Sequence, residues 1–173
     1  MKIATFNING IKARLPALLD WLNETKPDVA MLQEIKSVDE LFPRDEIEAL
    51  GYEVHTHGMK GFNGVAILSK YPLEDIMRGL PGDEEDIQTR YIEATIVGEN
   101  ETLRICNLYL PNGNPTPGPK YDYKLNWMER LYKRTCTLIE LEEPFLLAGD
   151  FNIIPQAEDL SLIHISEPTR RRG

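Results

Sequence analysis

The chain has 173 residues, of which 42% are hydrophobic and 27% are charged, and its formal net charge at pH 7 is -9. This length and composition fit one globular domain, and the acidic balance argues against general electrostatic adhesion to nucleic acid or anionic lipid. The two cysteines give no disulfide framework, and no apolar run is long enough to span a membrane. Because the first residues also lack a secretory signal pattern, we expect a cytoplasmic protein with no membrane partner.

The N-terminal part of the sequence predicts two buried strands, each followed by a helix. Residues 2–8 and 28–34 are mostly apolar, as in strands that are covered on both faces. Between them, four leucines recur at the spacing of one helix face: Leu15, Leu18, Leu19 and Leu22. Pro16 fits the first turn of this helix, and Lys26-Pro27 ends it. Residues 43–51 predict a short helix that stops at a glycine.

From residue 52 onward, apolar residues alternate with a period of two, which predicts strands. The segments with this pattern are 52–57, 64–69, 91–97 and 102–109. Residues 98–101 predict a hairpin turn between the last two, and residues 111–119 predict a loop. Helical spacing returns at 121–142, and 145–149 predicts a final strand. This order predicts a mixed sheet with helices packed against it.

Polar side chains follow four of the predicted strands at the points where the apolar runs end. They are Asn7 and Asn9, then Glu34, then Asn107, Tyr109 and Asn112, and finally Asp150 and Asn152. The C-terminal ends of strands in α/β sheets are where ligands bind, so we expect these side chains to converge. Two carboxylates with neutral oxygen donors suit a hard divalent cation such as Mg²⁺. The pattern predicts metal-assisted hydrolysis or transfer at phosphorus.

The chemistry of each side chain suggests a role at such a site. Glu34 follows an apolar stretch without a break and is the best predicted metal ligand. Asp150 can orient or deprotonate an attacking water, although an Asx turn is a competing use of the same residue. Asn7 and Asn152 can hold a phosphoryl oxygen or a water without adding charge, and Tyr109 can donate to the scissile phosphate or meet the leaving oxygen. Turn formation and strand packing are the alternatives for these three.

Several short segments, in this order along the chain, resemble one known family. They include Phe-Asn-Ile-Asn-Gly at 6–10, Leu-Gln-Glu-Ile-Lys at 32–36, Gly-Met-Lys-Gly at 58–61, Asn-Leu-Tyr-Leu-Pro-Asn-Gly at 107–113 and Gly-Asp-Phe-Asn at 149–152. On these segments the chain resembles exonuclease III, of the endonuclease/exonuclease/phosphatase superfamily. The resemblance implies a four-layered α/β sandwich that hydrolyses DNA phosphodiesters at abasic sites and 3′ ends with Mg²⁺ or Mn²⁺.

The resemblance also implies a set of site residues. The predicted metal ligands are Asn7, Glu34, Asp150 and Asn152; the predicted catalytic residues are Tyr109, Asp150 and Asn152; the predicted substrate contacts are Lys36, Arg90 and Asn112. The predicted function is a DNA-repair nuclease, an abasic-site endonuclease and 3′-5′ exonuclease, that binds double-stranded DNA and is monomeric at full length. A phosphatase or phosphodiesterase of the same superfamily is one alternative, although those enzymes commonly carry His where this chain has Tyr109. A non-catalytic DNA- or metal-binding remnant is the other.

The C-terminal part departs from the family pattern. Members carry a later Asp-His pair, whereas His164 here follows Ile163. We therefore expect residues 1–160 to be an incomplete domain, the N-terminal part of a two-sheet fold. Without a second sheet, the inner face of the first would be exposed, and we expect a poorly soluble and nearly inactive chain. Residues 161–173 resemble a translated sequencing-adaptor peptide, so we expect them not to be native.

Four further residues have structural predictions, and three cations form a predicted DNA-binding patch. His55 and His57 lie two residues apart, but oxygen ligands dominate elsewhere, so we predict structural roles for both. Trp21 and Trp127 lie in helical patterns and are predicted to pack, not to stack on bases. The patch comprises Lys36, Lys60 and Arg90. Because it is local, we expect weak and strongly salt-sensitive DNA binding.

Overall fold

The computed structural model describes residues 1–98 and 102–154. In chain order the elements are β1 (Ile3–Asn7), α1 (Ile11–Thr25), β2 (Val29–Gln33), a 3₁₀ turn (Asp39–Leu41), α2 (Arg44–Glu48), β3 (Glu53–His57), β4 (Val65–Ser69), β5 (Leu73–Arg78), β6 (Tyr91–Val97), β7 (Thr102–Tyr109), α3 (Pro119–Glu140) and β8 (Phe145–Asp150). They form two four-stranded sheets. The first sheet has the order β1-β2-β4-β3, and the second has the order β5-β6-β7-β8.

The two sheets stack face to face, and a helix covers the outer face of each. Leu18 and Leu22 of α1 pack on Ala30, Leu32 and other residues of the first sheet. Trp127 and Leu138 of α3 pack on the outer face of the second sheet. The resulting order of layers is helix, sheet, sheet, helix, which confirms the predicted four-layered α/β sandwich.

The middle of the sandwich explains why β2 and β4 read as continuous apolar runs. Every residue of both strands is buried. Successive side chains of a strand point to opposite faces, so Ala30 of β2 faces α1 while Val29 and Met31 face the second sheet. Both faces therefore need apolar residues, and the alternation that marks a half-exposed strand disappears.

The expectation that a second sheet is missing, leaving an exposed inner face, is wrong for this structure. Val29, Met31, Val65 and Ile67 of the first sheet are completely buried against the second sheet. The strands predicted at 91–97 and 102–109 form this second sheet with β5 and β8 instead of joining the first. Each sheet is mixed: β1 and β2 are parallel, as are β7 and β8, and the remaining pairs are antiparallel.

Two local predictions differ from the structure. Pro16 lies within α1 and not in its first turn, because the helix already begins at Ile11. The carbonyl that loses its helical hydrogen-bond donor is that of Lys12, which is exposed and can be hydrated. The sequence did not predict β5, whose pairing with β6 shifts register between Glu74 and Met77. This irregularity breaks the two-residue period on which strand prediction depends.

The tryptophans have the predicted packing roles, Trp127 being fully buried and Trp21 contacting Phe6 with ring centroids 5.5 Å apart. No helix within the described ranges is long and apolar enough to cross a membrane. The predicted turn at 98–101 lies largely outside the described residues, as do the domain boundary at 160 and the tail at 161–173, so these remain predictions.

Candidate active site

The C-terminal ends of β1, β2, β7 and β8 meet at one edge of the sandwich. Parallel pairing places Asn7 of β1 beside Gln33 of β2, and Tyr109 of β7 beside Asp150 of β8. Because the sheets are stacked with β1 against β8, the residues at these strand ends face one another. Convergence of the four strand ends, expected from the sequence, is thus observed.

The Asn7 side chain joins the two carboxylates. Its Nδ2 donates to Glu34 Oε1 at 3.1 Å and to Asp150 Oδ2 at 2.8 Å, so both acids reach one amide group. The Asn7 Oδ1 accepts a hydrogen bond from the Asn9 backbone N–H at 3.0 Å. A cation would be bound through that oxygen, which here points to the loop. The convergence of Glu34 and Asp150 is confirmed, and metal ligation by Asn7 stays a prediction.

Three neighbouring side chains keep Glu34 ionised. Tyr109 donates its hydroxyl proton to Glu34 Oε1 at 2.7 Å, and the Lys36 ammonium lies 3.3 Å from Glu34 Oε2. Burial alone would raise the pKa of Glu34, but hydrogen bonds from Asn7, Tyr109 and Lys36 outweigh it and hold the pKa below its usual value. Glu34 is therefore a carboxylate at neutral pH. The pKa of Tyr109 is raised by burial and by Glu34, so this phenol keeps its proton.

Asp150 forms the Asx turn that the sequence suggested and still faces the candidate site. Its Oδ1 accepts from the Asn152 backbone N–H at 3.0 Å, which is an Asx turn, while Oδ2 faces Asn7. The turn orients the carboxylate toward the site instead of competing with it. Asn152 lies next to the group, but its Nδ2 donates to the Leu110 carbonyl at 2.6 Å and not to either carboxylate.

The predicted substrate contacts lie along a cleft beside Glu34. This cleft has a volume of about 540 Å³, and its lining includes Glu34, Lys36, Phe62, Arg90, Tyr109 and Asn112. The Arg90 guanidinium stacks on the Tyr109 ring, 4.8 Å from its centroid. The Asn112 side chain accepts from the Asn114 backbone N–H at 3.0 Å, a turn that shapes the end of the cleft. Lys60 is exposed but does not line the cleft, so the structure does not join it to Lys36 and Arg90.

Sequence reasoning missed two apolar residues at this cleft. Phe62 is 70% exposed and Ile87 is 82% exposed, although both are large apolar side chains. They lie in loops outside the periodic segments, so no strand or helix pattern drew attention to them. The available signal was an isolated apolar residue in a Gly-rich or acidic loop, which is weak because single exposed apolar residues are common.

The oxygen atoms of the candidate site are of the kind that binds a hard cation. Among residues 1–98 and 102–154, no three His, Cys, Asp or Glu side chains cluster as a metal site. The candidate active site offers two carboxylates together with amide and phenol oxygens. Two carboxylates with neutral oxygens match the few protein ligands that Mg²⁺ uses while it keeps several waters. His55 pairs with Glu53 at 2.5 Å, and burial lowers the pKa of His57.

Comparison with known proteins gives a consistent result. The chain is 39% identical over 176 residues to exodeoxyribonuclease III of Haemophilus influenzae, covering 99% of this chain and 64% of that protein. It is 31% identical to an exodeoxyribonuclease of Bacillus subtilis, covering 92% of this chain and 62% of that protein. The chain thus spans less than two thirds of the length of these relatives.

Solved structures have the same architecture. A 3′-5′ exonuclease from Neisseria meningitidis superposes with a TM-score of 0.86 at 36% identity, over 92% of this chain and 60% of that one. An AP endonuclease from Archaeoglobus fulgidus gives a TM-score of 0.84 at 38% identity, over 93% and 61% of the two chains. The sequence profile of the Endonuclease/Exonuclease/phosphatase family matches residues 4–168. The chain therefore belongs to the endonuclease/exonuclease/phosphatase family.

Proposed function

We propose that this chain is part of a DNA-repair nuclease that hydrolyses phosphodiester bonds at abasic sites and at 3′ ends of double-stranded DNA. The observation that carries the proposal is the convergence of Glu34 and Asp150 on the Asn7 amide, next to the protonated phenol of Tyr109. Relatives that are named exodeoxyribonuclease III and AP endonuclease support the substrate and the two activities. Free cysteines at 106 and 136 support a reducing, cytoplasmic location, and we expect a monomer at full length.

The proposed ligands of Mg²⁺ or Mn²⁺ are the carboxylates of Glu34 and Asp150 and the amide oxygens of Asn7 and Asn152. When bound, such a cation supplies positive charge next to a phosphoryl oxygen, where charge develops during hydrolysis. Glu34 is ionised at neutral pH because its hydrogen bonds outweigh its burial. It therefore offers a charged ligand without prior loss of a proton.

The remaining roles follow from charge and hydrogen-bonding capacity. Tyr109 keeps its proton and donates it in a hydrogen bond to Glu34. When substrate is bound, the same hydroxyl can donate to a phosphate oxygen instead. Asp150 can orient an attacking water, and the Asx turn holds its carboxylate in place for this task. Lys36 and Arg90 give the cleft positive charge that can meet DNA phosphates, although the chain as a whole is acidic.

Cation binding tests this proposal most directly. We expect the chain to bind Mn²⁺, detected by electron paramagnetic resonance, and we expect Glu34→Gln and Asp150→Asn each to weaken binding by removing a charged ligand. Glu24→Gln is the matched control, because Glu24 is exposed on α1, away from the site. Equal Mn²⁺ affinity in all four proteins would refute the proposed metal site.

Binding and cleavage assays separate the proposed nuclease from the phosphatase alternative. The chain spans 64% of its Haemophilus relative, so turnover by this chain is a separate question from binding. We expect Mn²⁺ binding and weak, salt-sensitive binding of abasic-site duplex, with little cleavage by this chain in Mg²⁺. Release of phosphate from small phosphomonoesters, without action on DNA, would favour the phosphatase alternative.

A further inference from the structure

Gln33 and Asn107 are the buried side-chain amides within the described ranges, and both lie between the two sheets. The layer between the sheets is built mainly from apolar side chains: Val29, Met31, Val65, Ile67, Ile92, Ala94, Ile96 and Ile105. Burial of an amide is unfavourable unless its hydrogen bonds are made. Two amides in this layer therefore need an explanation.

Asn107 uses its whole amide group to join the sheets. From β7 of the second sheet, its Nδ2 donates to the carbonyls of Leu32 and Ala66, each at 2.9 Å. Those two residues are register partners on β2 and β4 of the first sheet. The Asn107 Oδ1 accepts from Gln33 Nε2 at 2.8 Å. One side chain thus fixes the separation and the sliding position of β7 relative to two strands of the other sheet.

Gln33 extends this connection to the edge of the first sheet. Its Nε2 also lies 2.9 Å from Thr5 Oγ1 on β1 and 3.0 Å from the Met31 carbonyl. The amide pair therefore touches β1, β2, β4 and β7. Three of these strands, β1, β2 and β7, carry Asn7, Glu34 and Tyr109 at their ends.

The position of the pair along the strands is the informative feature. Gln33 immediately precedes Glu34, and Asn107 comes two residues before Tyr109. The pair therefore lies directly behind the 2.7 Å hydrogen bond between Tyr109 and Glu34. Apolar contacts tolerate small sliding of one sheet over the other, whereas buried hydrogen bonds fix both distance and direction. Apolar replacement of both partners can be nearly neutral for stability, so stability alone does not explain the amides.

We propose that the Gln33–Asn107 pair is a positioning device that sets Glu34 against Tyr109, and thereby sets the cation affinity of the site. The cation part of this inference rests on the proposed function. Both amides act through the strands that carry Glu34, Tyr109 and Asn7.

A stability-matched comparison tests the proposal. Asn107→Leu removes one hydrogen bond from the Gln33 amide and one from each of the Leu32 and Ala66 carbonyls, so it should destabilise the fold. The double variant Gln33→Met/Asn107→Leu removes both amides at similar volume, so no buried amide lacks its partner, and it should regain part of that stability. Ile105→Val is the control, because Ile105 lies in the same layer on the same strand but takes no part in the hydrogen bonds. Urea unfolding ranks the four proteins, and all further measurements use conditions in which each is folded.

Two readouts separate positioning from packing. Changes to residues that orient metal ligands typically weaken metal affinity by about 10–100-fold, so we expect that loss of Mn²⁺ affinity in the single and the double variant, but not in Ile105→Val. The second readout needs no metal: the NMR signals of the Asn7 side-chain amide, which bridges Glu34 and Asp150, should shift in both amide variants and stay fixed in the control.

The double variant decides the outcome. If it regains stability while Mn²⁺ binding and the Asn7 signals stay altered, the pair positions the site. If it regains stability together with parental Mn²⁺ affinity and parental Asn7 signals, the pair is only a packing feature and the proposal is wrong. If the parent chain binds no Mn²⁺, the metal proposal fails alone, and the Asn7 signals still decide whether the amides position the site.

Discussion

The two halves of the candidate site are held by very different parts of the molecule. Glu34 and Tyr109 extend from β2 and β7, whose neighbours pair with them on both sides. Asn7 and Asp150 extend from β1 and β8, which are the outermost strands of their sheets within the described residues and are partly exposed along their length. The site is therefore a junction between a rigid centre and an open edge, and the two should respond differently to perturbation.

The largest expected effect comes from breaking a buried cluster of charged side chains on β6, the strand that pairs with β7. Glu93, on β6, is completely buried and accepts hydrogen bonds from Arg134 of α3, Arg104 and Tyr91. Glu93→Gln should cost about 3 kcal/mol, because it removes the charge of the buried partner of two arginines whose side chains are only 17% exposed. Urea unfolding measures this loss. Glu129→Gln, which breaks an exposed pair with Lys133, is the control and should change stability by less than about 1 kcal/mol.

The same cluster predicts the sign of a pH effect. Burial alone would raise the pKa of Glu93, but Arg134, Tyr91 and Arg104 outweigh it and hold the pKa below its ordinary value. A lowered folded pKa contributes stability that is present above the unfolded pKa and is lost as the pH falls through the folded pKa. The melting temperature should therefore drop as the pH falls below about 4.5, and Glu93→Gln should reduce that slope. If the melting temperature of the variant fell with pH as steeply as that of the parent chain, other carboxylates would cause the acid sensitivity.

A change in β8 disturbs the open edge instead. A Cβ at Gly149 would lie 2.1 Å from the Leu108 carbonyl oxygen, so β8 approaches β7 closely enough to require glycine there. Gly149→Ala should cost about 1–3 kcal/mol as the strands separate. It should also displace Asp150 and weaken Mn²⁺ binding, while the melting of the centre stays cooperative. Gly51→Ala is the control for backbone strain without a steric clash. Gly51 has a positive φ of +87, but nothing lies within 4 Å of the position that a Cβ would take.

Self-association tests the edge by a different route. Phe6, Phe151, Ile153 and Ile154 are 39–52% exposed and line one cavity between β1 and β8. Exposed apolar side chains next to edge strands favour association, so we expect a concentration-dependent increase in mass by light scattering. Phe151→Lys should reduce it, and Ile87→Lys, which removes an exposed apolar residue at the cleft, should not. The expected poor solubility remains a prediction, now assigned to this edge and not to an exposed inner sheet face.

The smallest expected effect concerns Lys36, which should influence cation and DNA binding in opposite directions. Its ammonium lies 3.3 Å from Glu34, so Lys36→Met removes a cation that competes with metal. Exposed pairs contribute about 0.2–1 kcal/mol, so Mn²⁺ binding should tighten by at most about fivefold. Binding of abasic-site duplex, measured by fluorescence anisotropy, should weaken and lose part of its salt dependence. Lys60→Met should leave Mn²⁺ affinity unchanged, and its effect on DNA decides whether Lys60 belongs to the predicted patch.

The sequence by itself determined most of the elements and predicted which side chains converge at the strand ends. Buried strands such as β2 were predictable because apolar residues on both faces leave a continuous run, and α1 because its leucines repeat at helical spacing. Glu34 and Asp150 were identifiable because a charged residue at the end of an apolar strand has few structural uses. The strand β5 was not predictable, because its register shift removes the period that carries the signal.

Only the tertiary structure decided how these elements are arranged. The periodicity of β6 and β7 says that they are strands, but not that they form a second sheet, because sheet partners are chosen by contacts far apart in sequence. The pairing of Gln33 with Asn107 across the sheets is equally invisible, since each reads locally as a polar residue at the end of an apolar run. Asp150 shows the same limit: an Asx turn and a place at the strand-end site read as alternatives in sequence. In the folded chain they coexist, because the two oxygens of one carboxylate face different partners.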